Sequence, residues 1–254
     1  MGIVVNEGVV IQAYNNNIVC VKISGKEKML FSRGIGFGKK FGDKIPKGTQ
    51  VEKVFVMENE DNLKNFKQVI EKVDEEFFGL CENIITEISS DLNEDLDEKI
   101  HIGLIDHLNF AIKRIVNGEI IENPFITETK VLYKKEYMLA EKAAKMLENE
   151  LDLLIPEDEI GLIALHIHSS RNSGNLNDTI KSTNLSNMVI TCVEKQLDIK
   201  IDKETLNYAR FVTHIKFAIK RILADSEIGN DFIYEIKSKY KVSYKIAESS
   251  AKID

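Results

Sequence analysis

Five histidines and one glycine-rich basic stretch hold most of the chemistry this sequence can offer. The histidines are His101, His107, His166, His168 and His214. A neutral imidazole is nucleophilic, uncharged and reprotonatable around neutral pH, so it can take a phosphoryl group as a labile phosphoramidate and hand it back. Asp106 precedes His107, but adjacent helix positions do not face each other, so a carboxylate orienting His107 comes from elsewhere. His166 and His168 are two apart, which on a helix points the rings away from each other, whereas a metal pair needs a spacing of four. No nucleophile elbow accompanies any of them. No metal and no cofactor is expected. The plain alternative for each histidine, a surface or core-edge side chain without chemistry, stays open on spacing alone.

The second element of chemistry is Arg33-Gly34-Ile35-Gly36-Phe37-Gly38-Lys39-Lys40-Phe41-Gly42. Its glycines let backbone approach a ligand, its cations suit phosphates, and Phe37 and Phe41 can stack on bases, which are the ingredients of loop or single-stranded RNA recognition. A dinucleotide-binding loop is rejected. The third glycine of that fingerprint is out of place, and Pro46 and Gly48 follow where a helix would have to receive a pyrophosphate. A glycine-rich hairpin without a ligand remains the alternative.

The flanking segments must position this stretch. Val9–Tyr14, Ile18–Ile23, Glu27–Ser32 and Gln50–Met57 are short, rich in β-branched and aromatic residues, and separated by turn residues such as Asn15-Asn16-Asn17 and Ser24-Gly25-Lys26. They predict a small antiparallel sheet. So short a unit has a thin core, which a second copy would deepen, so a homodimer is expected.

The histidines fall on a duplicated module. Phe110-Ala111-Ile112-Lys113-Arg114-Ile115 recurs letter for letter as Phe217-Ala218-Ile219-Lys220-Arg221-Ile222, and the same spacing of 107 carries His107 onto His214. Leu104, Leu108, Ala111 and Ile115 form one helical stripe, with His107 at its border. Further helices are predicted over Glu136–Leu147 and from Pro156-Glu157-Asp158-Glu159 onward, where proline and acids suit a first turn. Each module reads as an all-α bundle. Arg171–Ser186, full of Asn, Ser, Gly and Thr, reads as the connector between copies, and Asn59–Asn65 as the separator after the sheet. Aligning Tyr137 with Tyr240 puts the counterpart of Pro156–Ser170 past Asp254, so the second copy is expected to lack its last helix, by incompleteness of the module or of the chain.

Composition narrows the function classes. At 254 residues, 43% hydrophobic and 30% charged, the chain suits two or three folded modules. The net charge of -7 hides a split: residues 1–58 carry nine Lys/Arg against five Asp/Glu, and the acidic excess lies beyond them. A basic head on an acidic body can meet a polyanion that the body would repel. No apolar run approaches a membrane span, Met1–Asn17 lacks a signal peptide, and three scattered cysteines fit a reducing cytoplasm.

With those residues in view, the chain resembles a known family. Asn15-Asn16-Asn17, Ser32-Arg33-Gly34-Ile35-Gly36-Phe37-Gly38-Lys39-Lys40 and Val51-Glu52-Lys53-Val54-Phe55 resemble the co-antiterminator RNA-binding domain. The repeats resemble phosphotransferase-system regulation domains (PRDs). The first carries Asp106-His107-Leu108-Asn109-Phe110-Ala111-Ile112 and, from Pro156, Glu157-Asp158-Glu159-Ile160-Gly161-Leu162-Ile163-Ala164-Leu165-His166-Ile167-His168. The second carries Thr213-His214-Ile215-Lys216-Phe217. In order and motif the chain resembles the BglG/SacY/LicT transcriptional antiterminators. Gly34–Lys40, Glu122-Asn123-Pro124-Phe125 and Ala164–Ser170 are most similar to the glucose-permease (GlcT-type) branch.

The resemblance implies a multidomain protein: a small all-β antiparallel RNA-binding domain over 1–59, a first all-α PRD over 60–171 and an incomplete second over 172–254. It implies a homodimer that binds a short imperfect hairpin in the leader of a sugar-transport messenger and so prevents transcription termination, without enzymatic activity. RNA contacts are implied at Asn17, Ser32, Arg33 and Phe37, with Ser32 where relatives carry glycine. Phosphorylation is implied at His107 and His166 by the sugar permease (EII) and at His214 by HPr, in the cytoplasm. Two phosphates about 10 Å apart across a dimer would repel by on the order of 6 kcal/mol at an effective dielectric of about 20, enough to switch a two-state dimer. The competing class is a phosphocarrier or histidine-dependent enzyme with an accessory β domain. A PRD-bearing DNA-binding activator fits poorly, because no helix-turn-helix precedes the repeats.

Overall fold

The computed structural model describes residues 2–56, 59–172, 175–226 and 228–252. They form two compact units, one of residues 1–87 with 98–113 and one of residues 88–97 with 114–254.

The first unit begins with β1 (Gly2–Ile3), β2 (Gly8–Ala13), β3 (Ile18–Ile23), β4 (Lys26–Phe31), β5 (Lys44–Ile45), β6 (Gln50–Val51) and β7 (Lys53–Phe55). Five strands make an antiparallel sheet in the order β5-β2-β3-β4-β7, and β1 pairs with β6 beside it. The tight β3–β4 hairpin turns on Ser24 and Gly25, whose φ values of 51° and 83° supply the left-handed pair that matches strand twist. Val10, Val19, Val21, Ile23 and Leu30 build an apolar layer on one face with Val4, Ile45 and Val51.

The fourth expected strand, Gln50–Met57, is broken at Glu52 into β6 and β7; its end, Met57, lies outside the described residues. Glu52 leaves the ladder because its carboxylate accepts from the backbone N–H of Arg33 (3.0 Å).

The separator expected over Asn59–Asn65 is instead the start of helix α1 (Glu60–Lys72). Asn59 caps it, its side-chain oxygen accepting from the N–H groups of Asp61 and Asn62. Phe66, Val69 and Ile70 give α1 a buried face at helical spacing. Helices α2 (Glu75–Leu92) and α3 (Ile100–Val116) follow. The second face of the sheet is covered by this same chain: Phe31 lies 5.7 Å from Phe78, and Phe55 lies 5.1 Å from Phe66, between ring centroids. A thin core is therefore not by itself a reason to dimerise.

The second unit holds α4 (Ile126–Leu132), α5 (Lys134–Leu151), α6 (Glu157–Arg171), α7 (Leu176–Leu197), α8 (Leu206–Leu223), α9 (Ile233–Lys239) and α10 (Lys241–Ser250). Leu139, Ala140, Ala143, Ala144 and Leu147 form the buried stripe of α5, and its small residues let α6 pack close. On α6, a Cβ at Gly161 would stand 2.4 Å from Ile126 Cδ1 and 2.8 Å from Asn123 Nδ2, so any larger residue beneath α4 must displace both side chains.

Most of the described part of Arg171–Ser186 is helix and not loop. α6 ends at Arg171, and α7 is already helical from Leu176. Its hydroxyls bond within the helix, Thr183 to the Thr179 carbonyl and Ser186 to that of Ser182, so residues typical of loops are satisfied in a helical turn. Thr183 and Ser186 are also buried, and tertiary packing overrides their weak propensity.

The repeat keeps its spacing of 107 throughout. α4 maps onto α9 at both ends and the start of α5 onto the start of α10, and Tyr133 and Tyr240 both sit at the junction, with φ/ψ of -129°/44° and -117°/48°. Tyr240 is thus the counterpart of Tyr133, not of Tyr137. Among the described residues the second repeat shows α7–α10 against α2–α6 in the first, with no equivalent of α6.

The repeats meet at a buried acid. Glu128, fully enclosed on α4, accepts from the Tyr208 hydroxyl (2.5 Å), Lys203 Nζ (3.0 Å) and Asn187 Nδ2 (3.2 Å). No helix among the described residues is long and apolar enough to cross a membrane.

Candidate nucleic-acid interface

The glycine stretch is a folded loop seated on the Asn15–Asn17 turn. Asn17 closes that turn by donating its N–H to Asn15 Oδ1 (2.9 Å). Its own side-chain oxygen accepts from the Gly34 N–H (2.6 Å), and its carbonyl accepts from the Ser32 N–H (3.0 Å). Because that side-chain oxygen faces a backbone donor, the amide orientation is fixed and the NH2 end is turned away from the loop. The Gly36 N–H donates to the Asn16 carbonyl (2.8 Å). Gly36 sits so close that a Cβ there would be 2.1 Å from the Asn15 carbonyl oxygen.

Within the loop, Ile35 donates to the Ser32 carbonyl, Phe37 to that of Gly34, and Lys39 to that of Gly36, a run of tight turns. Gly34 and Gly38 supply the left-handed backbone those turns need, at φ of 73° and 68°.

This scaffold brings Asn17, Ser32 and Arg33 together and lifts the aromatics outward. Phe37 is 76% and Phe41 82% exposed. Arg33 is exposed, and among the described residues neither it nor Lys39 nor Lys40 forms an ion pair. The surface thus offers an unneutralised guanidinium, two ammonium groups and two open π faces. It can hold phosphates and stacked bases at once.

The expected phosphoacceptors lie on three helices. His107 is half-buried on α3, His166 half-buried on α6, and His214 exposed on α8 at the place in the second repeat that His107 holds in the first. The two histidines given no role are each held by a carboxylate. His101 Nδ1 lies 2.8 Å from Glu82, and His168 Nδ1 lies 2.9 Å from Glu136, with its ring 4.0 Å from that of Tyr133. Among the described residues no cluster of acidic, His or Cys side chains could hold a metal ion.

Sequence reasoning missed Glu52, Glu82 and Glu128. Glu52 lies inside the quoted Val51–Phe55 stretch, and its position nineteen residues after Arg33 gives no sign that it holds that backbone.

Comparison with known proteins identifies two kinds of domain in this chain. The model of the CAT RNA binding domain matches residues 9–64, and that of the PRD domain matches 82–170 and 187–253. Protein GlcT of Staphylococcus saprophyticus is 34% identical over 247 residues, 95% of this chain and 87% of that protein. Transcription antiterminator LicT of Bacillus subtilis is 35% identical over 235 residues, 91% of this chain and 84% of that one. The crystal structure of GlcT CAT-PRDI superposes with a TM-score of 0.58 at 39% identity, covering 65% of this chain and 99% of that one.

Proposed function

The chain belongs to the family of the GlcT and LicT antiterminators, with a CAT RNA-binding domain and PRD domains, and on that premise we propose that it binds a leader-RNA hairpin and prevents transcription termination of a sugar-transport operon. Asn17, Ser32, Arg33 and Phe37 contact the RNA. The single observation that carries this reading is the loop hydrogen-bonded onto the Asn15–Asn17 turn, with Arg33 unneutralised and Phe37 turned to solvent.

Two heads act together as a homodimer in the cytoplasm. Residues 1–59 form the RNA-binding domain, 60–171 the first PRD and 172–254 the second. His107 and His166 receive phosphate from the sugar permease and His214 from HPr, each gaining about -1.5 to -2 charges. No catalytic role is assigned to any residue.

The test is a gel shift of the whole chain with a hairpin from a glucose-permease messenger leader, against duplex DNA of the same sequence. RNA-selective binding that weakens steeply with salt supports the proposal, and equal or absent binding removes it. In cells, replacing His107 and His166 together by Ala should give read-through without sugar; retained sugar dependence would remove those two histidines from the control.

A further inference from the structure

One buried acid in the first unit has no part in the RNA surface and none in phosphoryl transfer. Glu82 on α2 is fully enclosed. A carboxylate out of water is costly unless it is paired and hydrogen-bonded. Here it is held from two sides. Lys53 Nζ on β7 donates to its carboxylate (2.8 Å) and to its backbone carbonyl (2.6 Å), and His101 Nδ1 on α3 lies 2.8 Å from the other carboxylate oxygen. The His101 ring also stands edge-on against Phe55, two residues along β7 from Lys53, at 5.1 Å. Burial alone would raise the Glu82 carboxyl, but the attraction of His101 and the hydrogen bonds from His101 and Lys53 prevail and hold it below its ordinary value.

Both ends of this joint lead somewhere. Lys53 follows Glu52, which holds the backbone N–H of Arg33, and it pairs in register with Phe31, one residue before Ser32. His101 lies six residues before His107 on the same helix, less than two turns away. We infer that Glu82 is a positioning residue that joins the RNA-contacting loop, through Lys53 and Glu52, to the histidine-bearing helix α3, so that a charge arriving on α3 is felt at Arg33. This rests on the proposed function and names the route by which its two parts communicate. Coupling along this route is read directly by combining changes at its two ends.

The experiment uses the whole chain and an RNA hairpin obtained by in vitro selection against it. Affinity is measured for wild type and for His107→Glu, a charge mimic, each alone and combined with Lys53→Met or Glu82→Gln. Lys53 is partly exposed and Lys53→Met leaves Glu82 with His101, whereas Glu82→Gln changes the enclosed group itself, and thermal unfolding checks that each variant is folded at the assay temperature. The expected result is a change of tenfold or more on His107→Glu in the wild-type background, falling below threefold in the Lys53→Met background. A tenfold response that persists in Lys53→Met overturns the inference and leaves the proposed function standing. Binding that ignores His107→Glu even in wild type also overturns it. Failure to select any RNA defeats the proposed function itself.

Discussion

The Tyr208 hydroxyl donates to the carboxylate of Glu128 at 2.5 Å, with both side chains buried, and this bond joins α8 of the second repeat to α4 of the first. Burial and the nearby carboxylate both drive the Tyr208 phenol well above its ordinary value, so it stays a donor across the working pH range. Tyr208→Phe removes one of the donors to Glu128 and leaves Lys203, Asn187 and a backbone N–H. It should cost about 1–3 kcal/mol, read as a lower urea midpoint with an unchanged slope.

Phe37→Ala should weaken RNA binding by about 1–3 kcal/mol, the worth of one stacked base. The melting temperature should hardly move, because the residue is 76% exposed. A parallel loss of stability would mean that Phe37 is structural. Arg33→Ala should weaken binding and reduce the slope of log affinity against log salt by about 1 if the guanidinium meets a phosphate.

Gly36 and Gly38 should separate sterics from backbone freedom. At Gly36 an added methyl meets the Asn15 carbonyl oxygen at 2.1 Å, so the loop must lift off its turn and RNA affinity should fall at least tenfold. At Gly38 nothing lies within 4 Å, but φ is +68°. Gly38→Ala should therefore cost about 1 kcal/mol of stability with a smaller loss of binding.

Stability should fall in acid through Glu136. Burial alone would raise its carboxyl, but hydrogen bonds from His168, the backbone and Arg171 hold it at about 2, against an ordinary 4.5. A depressed carboxyl stabilises the fold fully above its unfolded value and loses that contribution as pH falls from about 4.5 toward 2. Denaturant titrations across that window should show the loss, on the order of 3 kcal/mol, and Glu136→Gln should flatten it.

What the sequence made legible is what periodicity and motif carry. β2, β3 and β4 follow from β-branched runs between Asn and Gly turns, and α3 and α8 from a repeated stripe. α7 was hidden because Asn, Ser and Thr read as loop, and only packing with hydroxyls bonded inward makes them helical. The break at Glu52 was hidden because an acid between Val51 and Lys53 fits a strand until its partner, Arg33, is placed. The loop's composition suggested tight turns and exposed cations, but not that Asn17 spends its carboxamide oxygen on Gly34. Buried acids are the least readable, since no pattern marks Glu82 or Glu128 as enclosed. The tyrosine misalignment came from matching residues without helix ends; the junction geometry of Tyr133 and Tyr240 settles it.

The seat of Gly36 on the Asn15 carbonyl also bears on the thermodynamics of capture. A loop already stapled to its neighbouring turn gives up little freedom when a ligand arrives, so free and bound backbones should nearly coincide. Discrimination between ligands then falls to the ligand's own shape, since a pre-set surface rewards only those transcripts whose fold already fits it.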